Sequence, residues 1–411
     1  MGRADLAHQV HIQTSGAEQH HKPELDGIRG IAILAVLATH VMTVLQVFPT
    51  WVWAGLFGHI LTPGWAGVDL FFVLSGFLIT GILLRTKAAP NYFGSFYWRR
   101  ILRIFPIYYV SLIVIFVIGH FSPYFHSTIP SPLLYRASYF FYMQNWPAFW
   151  RGPFLGANVF GAYWSLAAEE QFYLLWPILI LKVSEKNMMR FCMAGFVIAP
   201  FLRILLVKYA FGIQIQMMQM TTSRMDGLLA GSFCALYMHS QRRLIPLRWI
   251  SSAMAVGATT LAFIVVKTSG YELISTGKYM HTIGVTGFAL LSSSLVALSQ
   301  YRFRWLQQPL CTGWLRAMGK YSYGIYIYHG FIFMGVRLVL TRITHRGGPA
   351  SFIVALALSS MSILLCIGIA KVSFNLFESR FLALKKYFKP LTPSKDLTQT
   401  TAPRAGEQAV A

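Results

Sequence analysis

Long apolar runs broken by short polar stretches follow one another along the chain. A run of 18 or more apolar residues matches the length of a membrane-crossing helix. The pattern predicts spans at 27–47, 65–84, 104–119, 164–181, 189–207, 225–239, 249–267, 279–299, 321–341 and 351–371. The expected fold class is all-α: a polytopic membrane protein of about ten transmembrane helices. Residues 1–25 are polar and His-rich, with no apolar core of a cleavable signal, and read as a cytoplasmic segment. Residues 26–385 form the transmembrane domain. Residues 386–411 are polar, rich in Pro, Thr and Ala, and are expected to be a disordered cytoplasmic tail. The longest connection, 120–163, is rich in Pro, Tyr, Phe and Trp. It is expected either to fold back over the outer mouth of the bundle or to lie as an ordinary interfacial loop.

Composition agrees with the pattern. The chain is 55% hydrophobic and 12% charged, with mean hydropathy +0.53; soluble domains carry about 25% charged residues. An even number of spans puts both termini on one side. With the N-terminus in the cytoplasm, most of the 35 Lys and Arg residues fall in inner segments, as the positive-inside rule requires. Arg203 and Arg224 are assigned to outer segments in this register. The net charge of +22 is then largely topological and faces anionic lipid and cytoplasmic anions. No interleaved aromatic–basic module points to nucleic acid. Cys192, Cys234, Cys311 and Cys366 match no metal or disulfide spacing and read as packing residues. No metal is expected.

The exceptions to the apolar pattern carry the candidate chemistry. Ionisable groups inside spans are costly and usually face a bundle interior. Helix one reads DGIRGIAILAVLATHV, with Arg29 near its inner end and His40 beyond the midplane. Eleven residues at about 1.5 Å each separate them by roughly 16 Å, and eleven steps of about 100° leave them nearly on one face. Asp69 opens GVDLFFVLSGFLIT, Glu169 and Glu170 sit in YWSLAAEEQFYLLWP, and Arg224 and Asp226 begin the sixth span. These groups are expected at one outer depth with His40, where acid, base and counter-charge suggest a reaction centre. The competing reading is an ion-pair network that ties helices together. Arg224, Tyr163, Trp164 and Ser165 are candidate oxyanion donors or substrate contacts, together with Asp226. On the inner side, Arg99, Arg100 and Arg103 in FGSFYWRRILRIFP read as a loop charge cluster or, beside Arg29, as a polyphosphate site. His329 is expected in the inner half of its helix, lining a channel or simply packed.

Six stretches in order resemble the integral-membrane acyltransferase family 3. They are Arg29 and His40 in helix one, GVDLFFVLSGFLIT, RRILRIFP, WSLAAEEQFYLLWP, SRMDGLLAGSF and YSYGIYIYHGFIF, covering about residues 24–382. The resemblance implies an O-acyltransferase of the bacterial cytoplasmic membrane. Such enzymes move an acyl group, expected to be acetyl, from cytoplasmic acyl-CoA to a hydroxyl of a polysaccharide, lipopolysaccharide, peptidoglycan, Nod factor or macrolide. It carries catalytic importance onto Arg29, His40 and Glu169, and acyl-CoA handling onto Arg100 and Arg103. Acyl-CoA is then a co-substrate, and no permanently bound cofactor is expected. The partners are membrane lipids and a glycan, glycolipid or other hydroxyl acceptor, not nucleic acid. Longer members append an SGNH hydrolase-like domain, for which no sequence is expected after residue 390.

In the resulting scheme neutral His40 is a general base or a transient acyl carrier. Glu169, or else Asp69, orients its ring. The rival is a secondary transporter or an acyl-group translocator with no transfer chemistry of its own. That would be marked by inverted repeats and paired broken helices, and the sequence displays neither.

Overall fold

The computed structural model describes residues 22–45, 61–121, 133–146, 162–209, 219–269, 277–343 and 349–391. The first 21 residues, the tail beyond 391, and 122–132 and 147–161 of the long connection lie outside them. The described residues form helices and no strand. These are α1 (Pro23–Leu45), α2 (Gly67–Thr86), α3 (Tyr92–Phe121), α4 (Leu133–Phe140), α5 (Tyr163–Lys182), α6 (Glu185–Tyr209), α7 (Thr221–Gln241), α8 (Leu247–Lys267), α9 (Val285–Ser299), α10 (Arg304–Leu310), α11 (Gly313–Ile343), α12 (Pro349–Ser373) and α13 (Ser379–Ala383). A 3₁₀ turn, Thr62–Ala66, leads into α2, and another, Leu384–Phe388, follows α13.

Eight helical segments among the described residues are long and apolar enough to cross a membrane, which makes this a polytopic membrane protein. They contain α1, α2, α3, α6, α8, α9, α11 and α12. The sequence pattern counts ten because α5 and α7, at 20 and 21 residues, are also of spanning length. These two fall short in apolar content because they carry Glu169, Glu170, Arg224 and Asp226.

Close packing through glycine sets the bundle. A Cβ on Gly76 would sit 2.0 Å from the Leu228 carbonyl oxygen, and one on Gly231 would sit 1.9 Å from that of Val73. α2 and α7 therefore touch backbone to backbone, the small-residue contact that apolar solvent favours. α1 packs on α11 in the same way, with Gly319 against the Asp26 carbonyl at a Cβ distance of 1.9 Å. This second contact fixes where Arg29 lies.

Three elements differ from the expected register. α3 starts at Tyr92, so Arg99, Arg100 and Arg103 ride on its first turns and not on a loop. Its 30 residues run about 45 Å against a hydrocarbon core of about 30 Å, which leaves the basic turns outside the apolar stretch. Pro106 sits inside this helix. It removes the bond that its N–H would give to the Leu102 carbonyl.

α2 starts deeper than expected. Its leading turn is held to α1 by Thr39, whose hydroxyl donates to the carbonyls of Leu61 and Thr62 at 3.2 and 3.1 Å. Gly67 lies against the Ala32 carbonyl. Arg203, expected in an outer segment, is fully buried within α6.

Of the long connection, 133–146 packs inward on α3 and α5. Tyr108 and Tyr109 donate to the carbonyls of Tyr139 and Phe140 at 2.8 and 2.9 Å, and Gln144 donates to the Tyr163 carbonyl at 2.8 Å.

Candidate active site

Helices α1, α2, α3, α5 and α11 enclose a cavity lined by Arg29, Arg100, Arg103, Ser75, Ser165, Glu169, Glu170, Tyr173, Ser322, Tyr323 and Tyr326, with apolar residues of α2 between them. Glu169 is clamped there. Ser75 of α2 donates to Glu169 Oε1 at 2.7 Å, and the Tyr173 hydroxyl lies 3.1 Å from Oε2 and 3.0 Å from Ser75 Oγ. Tyr173 is one turn along α5 from Glu169, so a single helix face supplies the carboxylate and one of its donors. The Tyr173 ring also carries Arg100, whose guanidinium carbon is 5.4 Å from the ring centroid and 5.8 Å from that of Phe96. An acid, two hydroxyls and an arginine thus form one connected group.

A second cavity adjoins the first and shares Arg29, Arg103 and Tyr323 with it. Asp26, Arg316, Lys320, Glu378 and Lys385 also line it. Arg29 stands between the two, its Nη1 3.1 Å from Asp26 Oδ1. Glu378 accepts from Ser373 at 3.3 Å and faces this cavity; among the described residues it has no ion pair with Arg380.

His40 is not on either cavity wall. Its ring lies 4.3 Å from that of His329, at an interplanar angle of 82°, and 6.0 Å from Phe333. His40 Nδ1 is 2.8 Å from the Val36 carbonyl, and His329 Nδ1 is 2.6 Å from the Tyr326 carbonyl. A carbonyl oxygen only accepts, so both Nδ1 atoms carry hydrogen and both Nε2 atoms carry a lone pair when the rings are neutral. His329 is fully buried, and its Nε2 has no hydrogen-bond partner among the described residues.

Tyr326 links the histidines to the cavity. Its ring is 5.2 Å from that of His329, and its hydroxyl, on the cavity wall, is 2.5 Å from Ser165 Oγ.

The expected single outer layer therefore divides in three. Glu169 and Glu170 belong with Arg29 and the α3 arginines, not with His40. The Val36 carbonyl, not Glu169 or Asp69, orients the His40 ring. Gly67 lies against the Ala32 carbonyl, eight residues and about 12 Å short of His40 along α1, and Asp69 follows two residues further along α2. It pairs with Arg224 at 3.1 Å, and Arg224 also lies over Trp65 and Trp164, 5.6 and 5.3 Å from their centroids.

Asp226 pairs with the buried Arg203 at 2.8 Å and accepts from Thr286 at 2.9 Å. Arg203 further donates to the carbonyls of Thr282 and Ser223. These four charges tie α2, α6, α7 and α9 together, which is the network reading. Tyr163 is buried among tyrosines with its hydroxyl 2.8 Å from Ser111 Oγ. Of the suggested oxyanion donors, Ser165 lines the cavity and Arg224, Trp164 and Tyr163 do not. His329, expected deeper toward the inner side, is the partner of His40.

Ser75, Tyr173, Tyr323 and Tyr326 were not singled out from sequence. Tyr173 had a signal, at i+4 from Glu169. Ser75 had none, since its contact crosses between helices distant in the chain.

A family model described as an acyltransferase domain matches residues 22–371. The chain belongs to the acyltransferase 3 family. It is 30% identical over 350 residues to the peptidoglycan O-acetyltransferase OatA of Listeria monocytogenes, covering 77% of this chain and 50% of that protein. It is 27% identical over 382 residues to the putative peptidoglycan O-acetyltransferase YrhL of Bacillus subtilis, covering 88% and 55%. A putative O-acetyltransferase of Staphylococcus aureus is 25% identical over 337 residues, covering 77% and 51%. The chain thus spans about half the length of these relatives. No solved structure matches.

Proposed function

We propose that the chain is a membrane O-acyltransferase that moves an acyl group, acetyl by the names of its relatives, from acyl-CoA to a hydroxyl of a glycan such as peptidoglycan. The observation that carries this reading is a series of contacts: the basic cavity shares Arg29, Arg103 and Tyr323 with the Glu169 cavity, and Tyr326 on that cavity wall packs on His329, which packs on His40. The N- and C-termini and the basic cavity face the cytoplasm in this reading, and the protein sits in the cell membrane. Acyl-CoA brings its nucleotide to the basic side. Its neutral pantetheine arm passes Arg29 and the Arg100–Tyr173–Glu169 group, and the thioester comes to rest toward Ser165 and Tyr326. No charged nucleotide then enters hydrocarbon, where desolvation would be costly.

In the transfer step His40 Nε2 takes the proton of the acceptor hydroxyl. The hydroxyl oxygen bonds to the thioester carbon and the carbon–sulfur bond breaks. The thiolate leaves and recovers a proton from the imidazolium. If instead His40 Nε2 attacks the carbon, the carbon–sulfur bond breaks and the thiolate leaves; the acceptor hydroxyl then bonds to the acyl carbon, the carbon–nitrogen bond breaks, and the hydroxyl proton goes to the thiolate. Both routes need the Nδ1–H tautomer that the Val36 carbonyl enforces. The hydroxyls of Ser165 and Tyr326 are the donors placed to meet the developing oxyanion. Glu169 serves as a positioning residue that holds Tyr173 and Arg100.

The test is transfer of isotope-labelled acetyl from acetyl-CoA by the purified protein in nanodiscs. Peptidoglycan fragments and lipid-linked glycans are supplied as acceptors and read by mass spectrometry. A labelled acetyl increment is expected. Release of acetyl-CoA label with no acylated glycan, or movement of label into the lumen of liposomes without transfer, would overturn the reading.

A further inference from the structure

The cavity that adjoins the Glu169 pocket holds five cationic side chains, Arg29, Arg103, Arg316, Lys320 and Lys385, against two carboxylates, Asp26 and Glu378. One acid is engaged with a neighbour on its own helix, Asp26 with Arg29 at 3.1 Å. Among the described residues none of Arg103, Arg316, Lys320 and Lys385 has a carboxylate within 4.0 Å.

Four cations with no carboxylate partner among the described residues repel one another around one concavity. A folded chain gathers them where a polyanion offsets the repulsion. They come from separate elements: Arg103 from α3, Arg316 and Lys320 from the first turns of α11, and Lys385 from the 3₁₀ turn after α13. Arg316 and Lys320 are exposed and Lys385 is half-buried, so their charged ends reach water and a soluble ligand. Lys320 is held over the rings of Phe374 and Tyr321, at 4.8 and 5.3 Å from their centroids. Its ammonium therefore has a fixed place on the wall.

We propose that this second cavity is the phosphate subsite for the 3′-phosphoadenosine 5′-diphosphate end of the acyl-CoA donor, with Arg316, Lys320 and Lys385 as phosphate ligands beside Arg103. The proposal rests on the acyltransferase reading and extends it to residues outside the arginine motif of α3. The shared Arg29, Arg103 and Tyr323 set the two cavities side by side. The phosphates lie at the basic end, and the uncharged arm runs past Arg29 to the cavity of Glu169 and Tyr326. Arg suits a phosphate bidentately and Lys as a point charge, so the mixed set fits a diphosphate together with a phosphate monoester.

The experiment compares donors that differ in their phosphates. Initial rates are measured in nanodiscs with acetyl-CoA, acetyl-dephospho-CoA and S-acetyl-pantetheine, for the wild type and for Arg316→Ala, Lys320→Ala, Lys385→Ala and Lys320→Arg. Each alanine is expected to raise KM for acetyl-CoA roughly tenfold. It should leave KM for S-acetyl-pantetheine within about twofold, and Lys320→Arg should restore most of the loss. Adenosine 3′,5′-bisphosphate, binding measured by calorimetry, should bind the wild type and bind the alanine variants about tenfold more weakly. That measurement stands even if no acceptor turns over, so failure of the subsite and failure of the acyltransferase reading are distinguishable. Equal shifts for acetyl-CoA and S-acetyl-pantetheine, or no shift for acetyl-CoA, would overturn the subsite. So would unchanged nucleotide binding with loss of a co-purified anionic phospholipid in native mass spectrometry, since the cations would then serve a lipid headgroup.

Discussion

Replacing Tyr173 by Phe removes one oxygen from the Glu169 clamp and leaves the ring that carries Arg100 in place. The Tyr173 hydroxyl lies 3.1 Å from Glu169 Oε2 and 3.0 Å from Ser75 Oγ, so it has one proton to share between a carboxylate and a hydroxyl. A hydrogen bond to a charged group contributes about 1.5–3 kcal/mol. The Ser75 bond to Oε1, at 2.7 Å, survives the change, so the lower part of that range applies: about 1.5 kcal/mol, or roughly tenfold. Because the clamp positions Arg100 on the proposed donor path, the loss should fall on KM for acyl-CoA and leave kcat within about twofold. Glu169→Gln should have a similar effect. The pair should then be non-additive, with a coupling of about 1 kcal/mol in a double-mutant cycle. The assay is initial-rate transfer at varied acyl-CoA, with Tm recorded for each variant. A coupling under about 0.3 kcal/mol, or a loss confined to kcat, would refute the reasoning.

His329→Phe keeps a buried ring but removes the Nε2 lone pair beside His40; it should lower kcat about tenfold with donor KM unchanged, measured by the same initial rates. Gly231→Ala puts a Cβ 1.9 Å from the Val73 carbonyl; it should destabilise by about 1–3 kcal/mol, seen as a lower Tm in detergent, because two helix backbones must separate. Arg203→Met strands the buried Asp226 and should cost about 3–5 kcal/mol, whereas Arg203→Met with Asp226→Asn should recover much of the Tm.

The spans were legible because apolar length is nearly all that a bilayer demands of a helix. Arg29, Arg100, Arg103 and Glu169 each break an apolar pattern, and the structure gathers all four on one cavity. Their depth was harder to read. Asp69 opens its helix at the outer surface only if the helix starts at the surface. The Thr62–Ala66 turn, pinned by Thr39, brings that start down beside Ala32, and no hydropathy pattern records it. Arg203, near the close of the span 189–207, was assigned to an outer segment. In fact α6 continues through Arg203 to Tyr209, and the partner that makes burial tolerable is on α7. The His40–His329 contact depends on Gly30 and Gly319 letting α1 and α11 approach, a pairing that joins opposite ends of the chain. The orienting carbonyl of Val36 is backbone, so no side-chain motif could reveal it.

The central claim is that His40 acts through its Nε2 lone pair, with Nδ1–H given to Val36. His40→Asn tests it most directly: the amide nitrogen replaces Nδ1–H against the Val36 carbonyl, 2.8 Å from Nδ1 in the parent, while nothing replaces Nε2. Transfer of labelled acetyl from acetyl-CoA to glycan should fall about 10²–10⁴-fold in kcat, with Tm and adenosine 3′,5′-bisphosphate binding close to wild type. Transfer by His40→Asn within about threefold of wild type would contradict the account.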